Sequence, residues 1–305
     1  MKVLVATEKP FAPSAISGIK NTLEEAGHDV TLLEKYTNHY DLLHAVADAE
    51  AMIVRSDKIA QDVLDHASKM KIIVRAGAGY DNIDIAYAKQ KGIVVENTPG
   101  QNSNAVAELV FGLLVYAIRN FYNGKSGHEL KGKKLGLLAF GNVGRNVARI
   151  AKGFDMEVFA YDAYCPTDVI EANGAKAVED IETMFSTCDV VSLHIPATEE
   201  TKKSIGQKLV SLMKKDAILV NTARKEVIDE EGLLMVLRER EDLRYITDIM
   251  PDADSEFQKL SGRYFSTPKK MGAQTAEANT NAGLAAAKQI NAFFSEGSTK
   301  YQVNR

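Results

Sequence analysis

Between Leu135 and Asp162 the chain reads LGLLAFGNVGRNVARIAKGFDMEVFAYD, and few folds accommodate residues in that order. An apolar run from Leu135 to Phe140 gives way to the turn Gly141-Asn142-Val143-Gly144. Val147, Ile150 and Ala151 then recur at helical spacing, and a second apolar run, Val158 to Tyr161, ends on Asp162. This is the strand, turn, helix and strand of a βαβ unit. Each part suits a dinucleotide. Gly141, with Asn142 and Val143 behind it, lets backbone amides approach a pyrophosphate, and Gly144 lets the helix pack near the strand. The helix N-terminus offers unpaired N–H groups and the positive end of its dipole. Asp162 falls where a carboxylate accepts hydrogen bonds from the adenosine ribose hydroxyls, and its charge repels a 2′-phosphate, favouring NAD over NADP. The first glycine of the usual GxGxxG is Ala139 here, so the glycines alone are weak evidence. The whole ordered set is what separates this segment from an ordinary crossover.

Composition narrows the rest. With 305 residues the chain is long enough for two domains, and 45% hydrophobic with 26% charged residues is ordinary for globular proteins. A net charge of −4, with Lys and Arg dispersed, argues against nucleic acid as a partner, while leaving room for a local basic pocket. Cys165 and Cys188 lack metal-ligand or CxxC spacing, so no metal is expected and a reduced, cytoplasmic setting is the natural reading. The opening MKVLVATEKP reads as a strand and turn, not a signal peptide, and no apolar stretch approaches the roughly 20 residues that span a bilayer.

The pattern elsewhere is α/β. Strands are expected at Val3–Ala6, Val30–Leu33, Ala51–Arg55, Ile72–Arg75 and Ile93–Glu96, separated by helical stretches. One such helix carries Ile59, Val63 and Leu64. Asn97-Thr98-Pro99-Gly100 breaks the pattern before a long helix from near Ser103, and strands return at Val190–His194, Ala217–Asn221 and Tyr245–Asp248. After Thr275 the run AEANTNAGLAAAKQINAFFSEG is helix-forming and rich in small residues. The expected architecture is two doubly wound domains flanking a cleft. A discontinuous, flavodoxin-like substrate domain spans 1–97 plus about 280–305, and a Rossmann-type dinucleotide domain spans 98–279. Arg224, in LVNTARKEVID, directly follows a strand of the second domain. Ligands of open α/β sheets bind beyond the carboxyl ends of strands. A guanidinium there can hold a carboxylate bidentately and polarise the adjacent carbonyl; a loop-capping surface arginine is the alternative.

The segments VRAGAGYDNID (74–84), NTPGQNSNAVAELVFGLLV (97–115), LGLLAFGNVGR, DVVSLHIPATEET (189–201), LVNTAR and TPKKMGAQTAEAN together resemble the D-2-hydroxyacid dehydrogenase family, in family order and over nearly the whole chain. Within it, VRS at 54–56 followed by Lys58 is similar to the phosphoglycerate dehydrogenases, which use NAD to oxidise D-3-phosphoglycerate to 3-phosphohydroxypyruvate, the first step of serine biosynthesis. The resemblance implies that the loop Arg75, Ala76, Gly77, Ala78 and Gly79 presents amides to the substrate carboxylate, with Asn102 beside the substrate and Arg224 on its carboxylate. Arg55, Ser56 and Lys58 would meet the phosphate end, a strand-end charge cluster being the plainer reading; Lys9, in the first βα turn, could add a second contact but reads more simply as a solvated lysine. Besides the glycine turn and Asp162, the implied cofactor contacts are His194, Pro196, Thr222, Ala223, Gly272, Ala273 and Asp248, the last at the nicotinamide carboxamide.

The sequence departs from the family at its proton carrier. Where the family has Thr-Pro-His, this chain has Thr267-Pro268-Lys269-Lys270, and the partner glutamate's place falls near Ala253, between Asp252 and Asp254. Lys269 is the expected replacement because it directly follows Pro268, although spacing alone does not separate it from Lys270. An amine must be neutral to accept a proton, a free lysine titrates near about 10.4, and desolvation and nearby cations favour the neutral form. A partner glutamate would oppose that, so its loss together with the histidine is coherent. The segment 117–134 is shorter than its family counterpart and lacks tryptophan; a homodimer is expected. No appended serine-binding domain is expected after Arg305, hence no feedback by serine. Two other readings stand beside the lead: a reductase of glyoxylate, hydroxypyruvate or another small 2-keto acid, and a catalytically silent NAD(H)-binding sensor similar to the family's corepressors.

Overall fold

The computed structural model describes residues 1–305, which fall into two compact units, Met1–Asn102 with Thr275–Arg305, and Ser103–Gln274. The chain passes from one to the other after Asn102 and returns after Gln274.

The first unit runs β1 (Lys2–Thr7), α1 (Pro13–Glu24), β2 (Asp29–Glu34), α2 (His39–Val46), β3 (Ala51–Val54), α3 (Gln61–His66), β4 (Ile72–Arg75), α4 (Ile85–Gln90) and β5 (Val94–Asn97). Its strands are all parallel in the order β2-β1-β3-β4-β5, the flavodoxin-like arrangement. β1 divides its side chains by the two-residue period of a strand: Leu4 and Ala6 join one core with Met52, Val54 and Ile73, while Val3 and Val5 join another with Ile53 and Val74. Helices cover both faces, so β3 is buried at all four residues and reads as an unbroken apolar run. Ile59 lies outside the helix expected to carry it. It forms an isolated bridge with Ile83 and α3 begins at Gln61, because the bridge holds this stretch extended.

The second unit contributes α5 (Ser103–Ile118), β6 (Lys134–Leu138), α6 (Asn142–Gly153), β7 (Glu157–Tyr161), α7 (Thr167–Ala172), β8 (Lys176–Ala177), α8 (Ile181–Thr187) and β9 (Val190–Leu193). It continues with α9 (Gln207–Ser211), β10 (Ile218–Asn221), α10 (Glu230–Glu239), β11 (Arg244–Thr247), α11 (Asp254–Phe257) and β12 (Tyr264–Ser266), before α12 (Ala276–Glu296) returns to the first unit. The sheet order is β12-β11-β10-β9-β6-β7-β8, again all parallel. The strand order reverses between β6 and β9, the switch point at which doubly wound sheets bind ligands. Both units are therefore doubly wound α/β sheets, as the sequence implies.

The small residues of α12 have a use. A Cβ on Gly283 would stand 2.6 Å from Ile19 Cδ1, and one on Gly18 would stand 2.9 Å from Leu284 Cδ2, so α1 and α12 approach closely only because both are glycines. After α12 the tail is pinned to β5: Val303 N donates to Val95 O at 2.9 Å, and the Asn304 amide bonds Val95 N at 3.0 Å and Ile93 O at 2.8 Å. No helix is long and apolar enough to cross a membrane. Strands β3, β9 and β11 end one residue earlier than the sequence suggests, which leaves Arg55, His194 and Asp248 immediately beyond their carboxyl ends.

Candidate active site

At the end of β6 the backbone turns through Ala139, which adopts φ 78° and whose N–H donates to Tyr161 O at 2.9 Å. Gly144 is fixed by contact: a Cβ there would lie 2.5 Å from Ala139 O, so only glycine lets α6 seat on the turn. Gly141 is the N-cap of α6 and provides no side-chain cap, leaving the N–H groups of the first turn, from Asn142, Val143 and Gly144, without a side-chain acceptor. A Cβ on Gly141 would meet nothing within 4 Å. An uncapped helix N-terminus on an open-faced glycine fits a pyrophosphate. Asp162 closes the turn from β7. Its Oδ2 accepts Phe140 N–H at 2.7 Å, and its Oδ1 accepts Tyr164 N–H at 2.8 Å and Cys165 N–H at 2.9 Å. Burial alone would raise its pKa, but these three donors outweigh it and hold the carboxyl below the usual range. With roughly four acceptor sites on a carboxylate, capacity remains for a ribose hydroxyl.

Beyond β9, His194 N donates to Leu138 O at 2.9 Å and its Nε2 lies 3.0 Å from Ser192 Oγ. Burial pushes the imidazole down to about 4, which favours its neutral form. Pro196 O accepts Thr201 Oγ1 at 2.6 Å, which shapes the following loop. Beyond β10, the Asn221 amide clamps the turn, accepting Ala223 N–H at 3.0 Å and donating to Arg224 O at 2.9 Å. Thr222 is buried and its hydroxyl has no partner; a buried hydroxyl in want of a bond fits a ligand contact. Arg224 is half-buried, with Nη1 3.0 Å from Ala223 O.

Beyond β11, the buried Asp248 holds the lysine segment by three bonds. Its Oδ1 accepts Thr267 Oγ1–H at 2.9 Å and Met271 N–H at 2.7 Å, and its Oδ2 accepts Gly272 N–H at 2.8 Å. A Cβ on Gly272 would stand 3.0 Å from that same Oδ2, while Ala273 follows half-buried. The two lysines, both exposed, differ in what they reach. Lys270 Nζ is 3.4 Å from Ala223 O, the carbonyl that also takes Arg224 Nη1, whereas Lys269 contributes its backbone carbonyl to Thr267 Oγ1 at 2.8 Å. Of the aspartates beside Ala253, Asp252 pairs with Lys225 at 2.5 Å, and Asp254 accepts the Tyr264 hydroxyl at 2.6 Å.

In the first unit, Arg55 Nη1 donates to Lys9 O and Pro10 O, both at 2.9 Å, and Nη2 to Asn279 Oδ1 at 2.5 Å, with the guanidinium 5.0 Å over the Phe11 ring. Burial lowers its pKa against the pull of Asp57. Two of its five N–H groups remain for a ligand. Asp57 is buried beneath the loop and accepts Glu8 N–H at 2.7 Å, Tyr36 O–H at 2.8 Å and Arg55 N–H at 3.2 Å. Ser56, Lys58 and Lys9 are exposed around it. In the following loop the Arg75 side chain lies across Gly77, at φ 150°, where any Cβ would collide with its guanidinium. Arg75 Nη1 reaches Ala76 O at 3.3 Å, Ala78 O accepts Asn97 Nδ2–H at 2.7 Å, and Gly79 is half-buried beside them. Asn102, half-buried, is the last residue before α5. Asp57, Asn97, Asn221 and Asn279 escaped the sequence reading; each acts through backbone atoms or distant partners, and none of the four leaves a spacing signal.

Comparison with known proteins agrees with this construction. The family model for the NAD binding domain of D-isomer specific 2-hydroxyacid dehydrogenases matches residues 116–266. The chain is 38% identical over 285 residues to D-3-phosphoglycerate dehydrogenase of Methanocaldococcus jannaschii, covering 88% of this chain and 54% of that protein. It is 36% identical over 269 residues to hydroxypyruvate reductase of Thermotoga maritima, covering 82% and 86%. It thus spans about half the length of the first of these relatives and most of the second. A structure of 3-phosphoglycerate dehydrogenase of Entamoeba histolytica with bound NAD+ superposes with a TM-score of 0.89 at 48% identity, covering 100% of this chain and 99% of that one. The chain belongs to the D-2-hydroxyacid dehydrogenase family and carries that family's NAD-binding domain.

Proposed function

We propose that the protein is an NAD-dependent dehydrogenase that interconverts D-3-phosphoglycerate and 3-phosphohydroxypyruvate, acting as a cytoplasmic homodimer. The observation that carries the proposal is the convergence of Arg224 Nη1 and Lys270 Nζ on one carbonyl, Ala223 O, at 3.0 and 3.4 Å, beyond the carboxyl end of β10. NAD, when bound, supplies the hydride acceptor for the C2 hydrogen of the hydroxy acid. The chain's own residues do the rest. Arg224 holds the carboxylate and polarises the C2 oxygen. A lysine of the 269–270 pair takes the hydroxyl proton in oxidation and returns it in reduction. Lys269 is the sequence's choice, but Lys270 is the one whose amine lies beside Arg224, and we assign the proton to it. A neighbouring guanidinium disfavours a second positive charge and so favours the neutral form of an amine. Arg55, with Ser56, Lys58 and Lys9, takes the phosphate end, and the amides of Arg75–Gly79 with Asn102 orient the acid.

The similarity to hydroxypyruvate reductase, and to glyoxylate reductase of Thermococcus litoralis at 38% identity, supports a second reading as a reductase of unphosphorylated 2-keto acids. Lysine variants test the mechanism under either reading. Lys270→Ala should lower kcat by about 100-fold or more while NADH binding, followed by fluorescence, stays near wild type; Lys269→Ala should cost far less. The opposite ranking would return the role to Lys269, and full activity in both variants would remove lysine from the mechanism.

A further inference from the structure

The first unit also has a pocket whose lining includes none of the residues assigned to the proposed chemistry. It has a volume of about 330 Å³ and lies where the end of β5, the last turns of α12 and the C-terminal tail meet, lined among others by Glu96, Gln289, Lys288, Lys300 and Tyr301. Its walls are fixed. Gln302 forms a bridge with Glu96, and the Val303 and Asn304 bonds lock the tail along β5.

The polar groups inside are mismatched to the protein. Glu96 is 2% exposed and forms no ion pair; its one hydrogen bond is from Tyr301 N–H to Oε1 at 3.2 Å. Burial penalises the charge of an acid that has no direct ion pair, and it pushes this carboxyl up despite the Tyr301 N–H bond and the Arg305 guanidinium. Gln289, 9% exposed, has a side-chain oxygen with no partner, and buried amide oxygens are normally bonded. Two acceptors with unused capacity therefore line one pocket. Lys288 and Lys300 at its rim carry the opposite charge, and Lys300 Nζ is held 5.4 Å over the Tyr301 ring. Acceptors within and cations at the mouth describe a ligand with an ammonium at one end and a carboxylate at the other. The volume lies at the small end of ligand pockets, about 300–1,000 Å³.

We propose that this pocket binds a small zwitterionic α-amino acid, its ammonium on Glu96 and Gln289 and its carboxylate on Lys288 and Lys300. The site is independent of the dehydrogenase reading and is read by binding, not by turnover. The test is calorimetric titration of the purified protein with each of the common L-α-amino acids, and with ethylamine and propionate as half-ligands. At least one amino acid should saturate with a Kd below about 1 mM, and each half-ligand should bind about tenfold or more weakly than it. Glu96→Gln, which keeps an acceptor for Tyr301, should weaken the amino acid about tenfold or more without lowering the melting temperature. Lys288→Ala, on the exposed rim, should weaken the amino acid but not ethylamine, while Arg224→Ala should leave binding intact. No saturation by any amino acid, undiminished binding in both Glu96→Gln and Lys288→Ala, or loss of binding in Arg224→Ala would each overturn the proposal.

Discussion

Ala139 occupies a place where the glycine pattern ordinarily has its first glycine, and it does so at φ 78°. A side chain in the left-handed region costs about 1–2 kcal/mol, of which a more flexible unfolded chain returns part on substitution by glycine. Ala139→Gly should therefore raise unfolding free energy by roughly 0.5–1 kcal/mol, measured by urea denaturation; a loss of stability would mean that the methyl contributes packing worth more than the strain. His194 gives the pH counterpart. Burial holds it at about 4 in the folded chain, against about 6.5 unfolded. The unfolded state thus binds more protons between these values, so the contribution to stability is complete above about 6.5 and is lost as pH falls toward about 4. The melting temperature should fall across that window, and His194→Gln should make the fall shallower. An identical slope in the variant would show that other groups carry the acid sensitivity. At this scale the sequence was most legible where a residue's role depends on its immediate neighbours, as at Gly144. It was least legible where two adjacent residues compete, because nothing in the order Thr267-Pro268-Lys269-Lys270 reveals which amine turns toward Ala223.

Among the elements, the segment from Thr267 to Gly272 depends on a single buried group. Asp248 is expected from family resemblance to meet the nicotinamide carboxamide, yet its carboxylate already accepts bonds from Thr267, Met271 and Gly272. Charge-assisted bonds of this kind are worth about 1.5–3 kcal/mol each in buried settings. In Asp248→Asn the amide nitrogen would face backbone N–H groups with no acceptor to offer. We expect a loss of about 2–4 kcal/mol of stability together with lowered kcat, since the lysine-bearing segment would no longer be held. Unchanged stability with weakened NADH binding alone would confine Asp248 to the cofactor. The long elements were legible in the sequence because their apolar periods are: β1 with its two-residue alternation, and α12 with its helix-forming run of small residues. Strands β8 and β12, two and three residues long, are too short to show a period, and they exist because a neighbouring strand offers an edge. The Arg55–Asn279 bond joins residues 224 positions apart, a contact that only the fold creates.

For the whole molecule, two doubly wound units built on one chain place the candidate residues just past the carboxyl ends of β3, β4, β6, β9, β10 and β11, the loops that bind ligands in such sheets. Those loops held most of the residues that the sequence singled out, because strand ends are readable wherever an apolar run stops at a charged or polar residue. What the sequence could not supply was the supporting layer: Asp57 under Arg55 and Asn221 under Arg224, and the bonds by which Asp248, itself singled out, holds the lysine segment. The choice between a phosphorylated and an unphosphorylated acid rests on Arg55 and its neighbours. The most direct measurement is NADH consumption by the purified protein with 3-phosphohydroxypyruvate, beside unphosphorylated hydroxypyruvate, for the wild type and Arg55→Ala. The account predicts turnover with a strong preference for the phosphorylated acid, and loss of that preference, by about tenfold or more in kcat/KM, in Arg55→Ala. Equal turnover of both acids by the wild type would contradict the phosphate assignment, and no turnover of either with NADH still bound would contradict the enzyme itself.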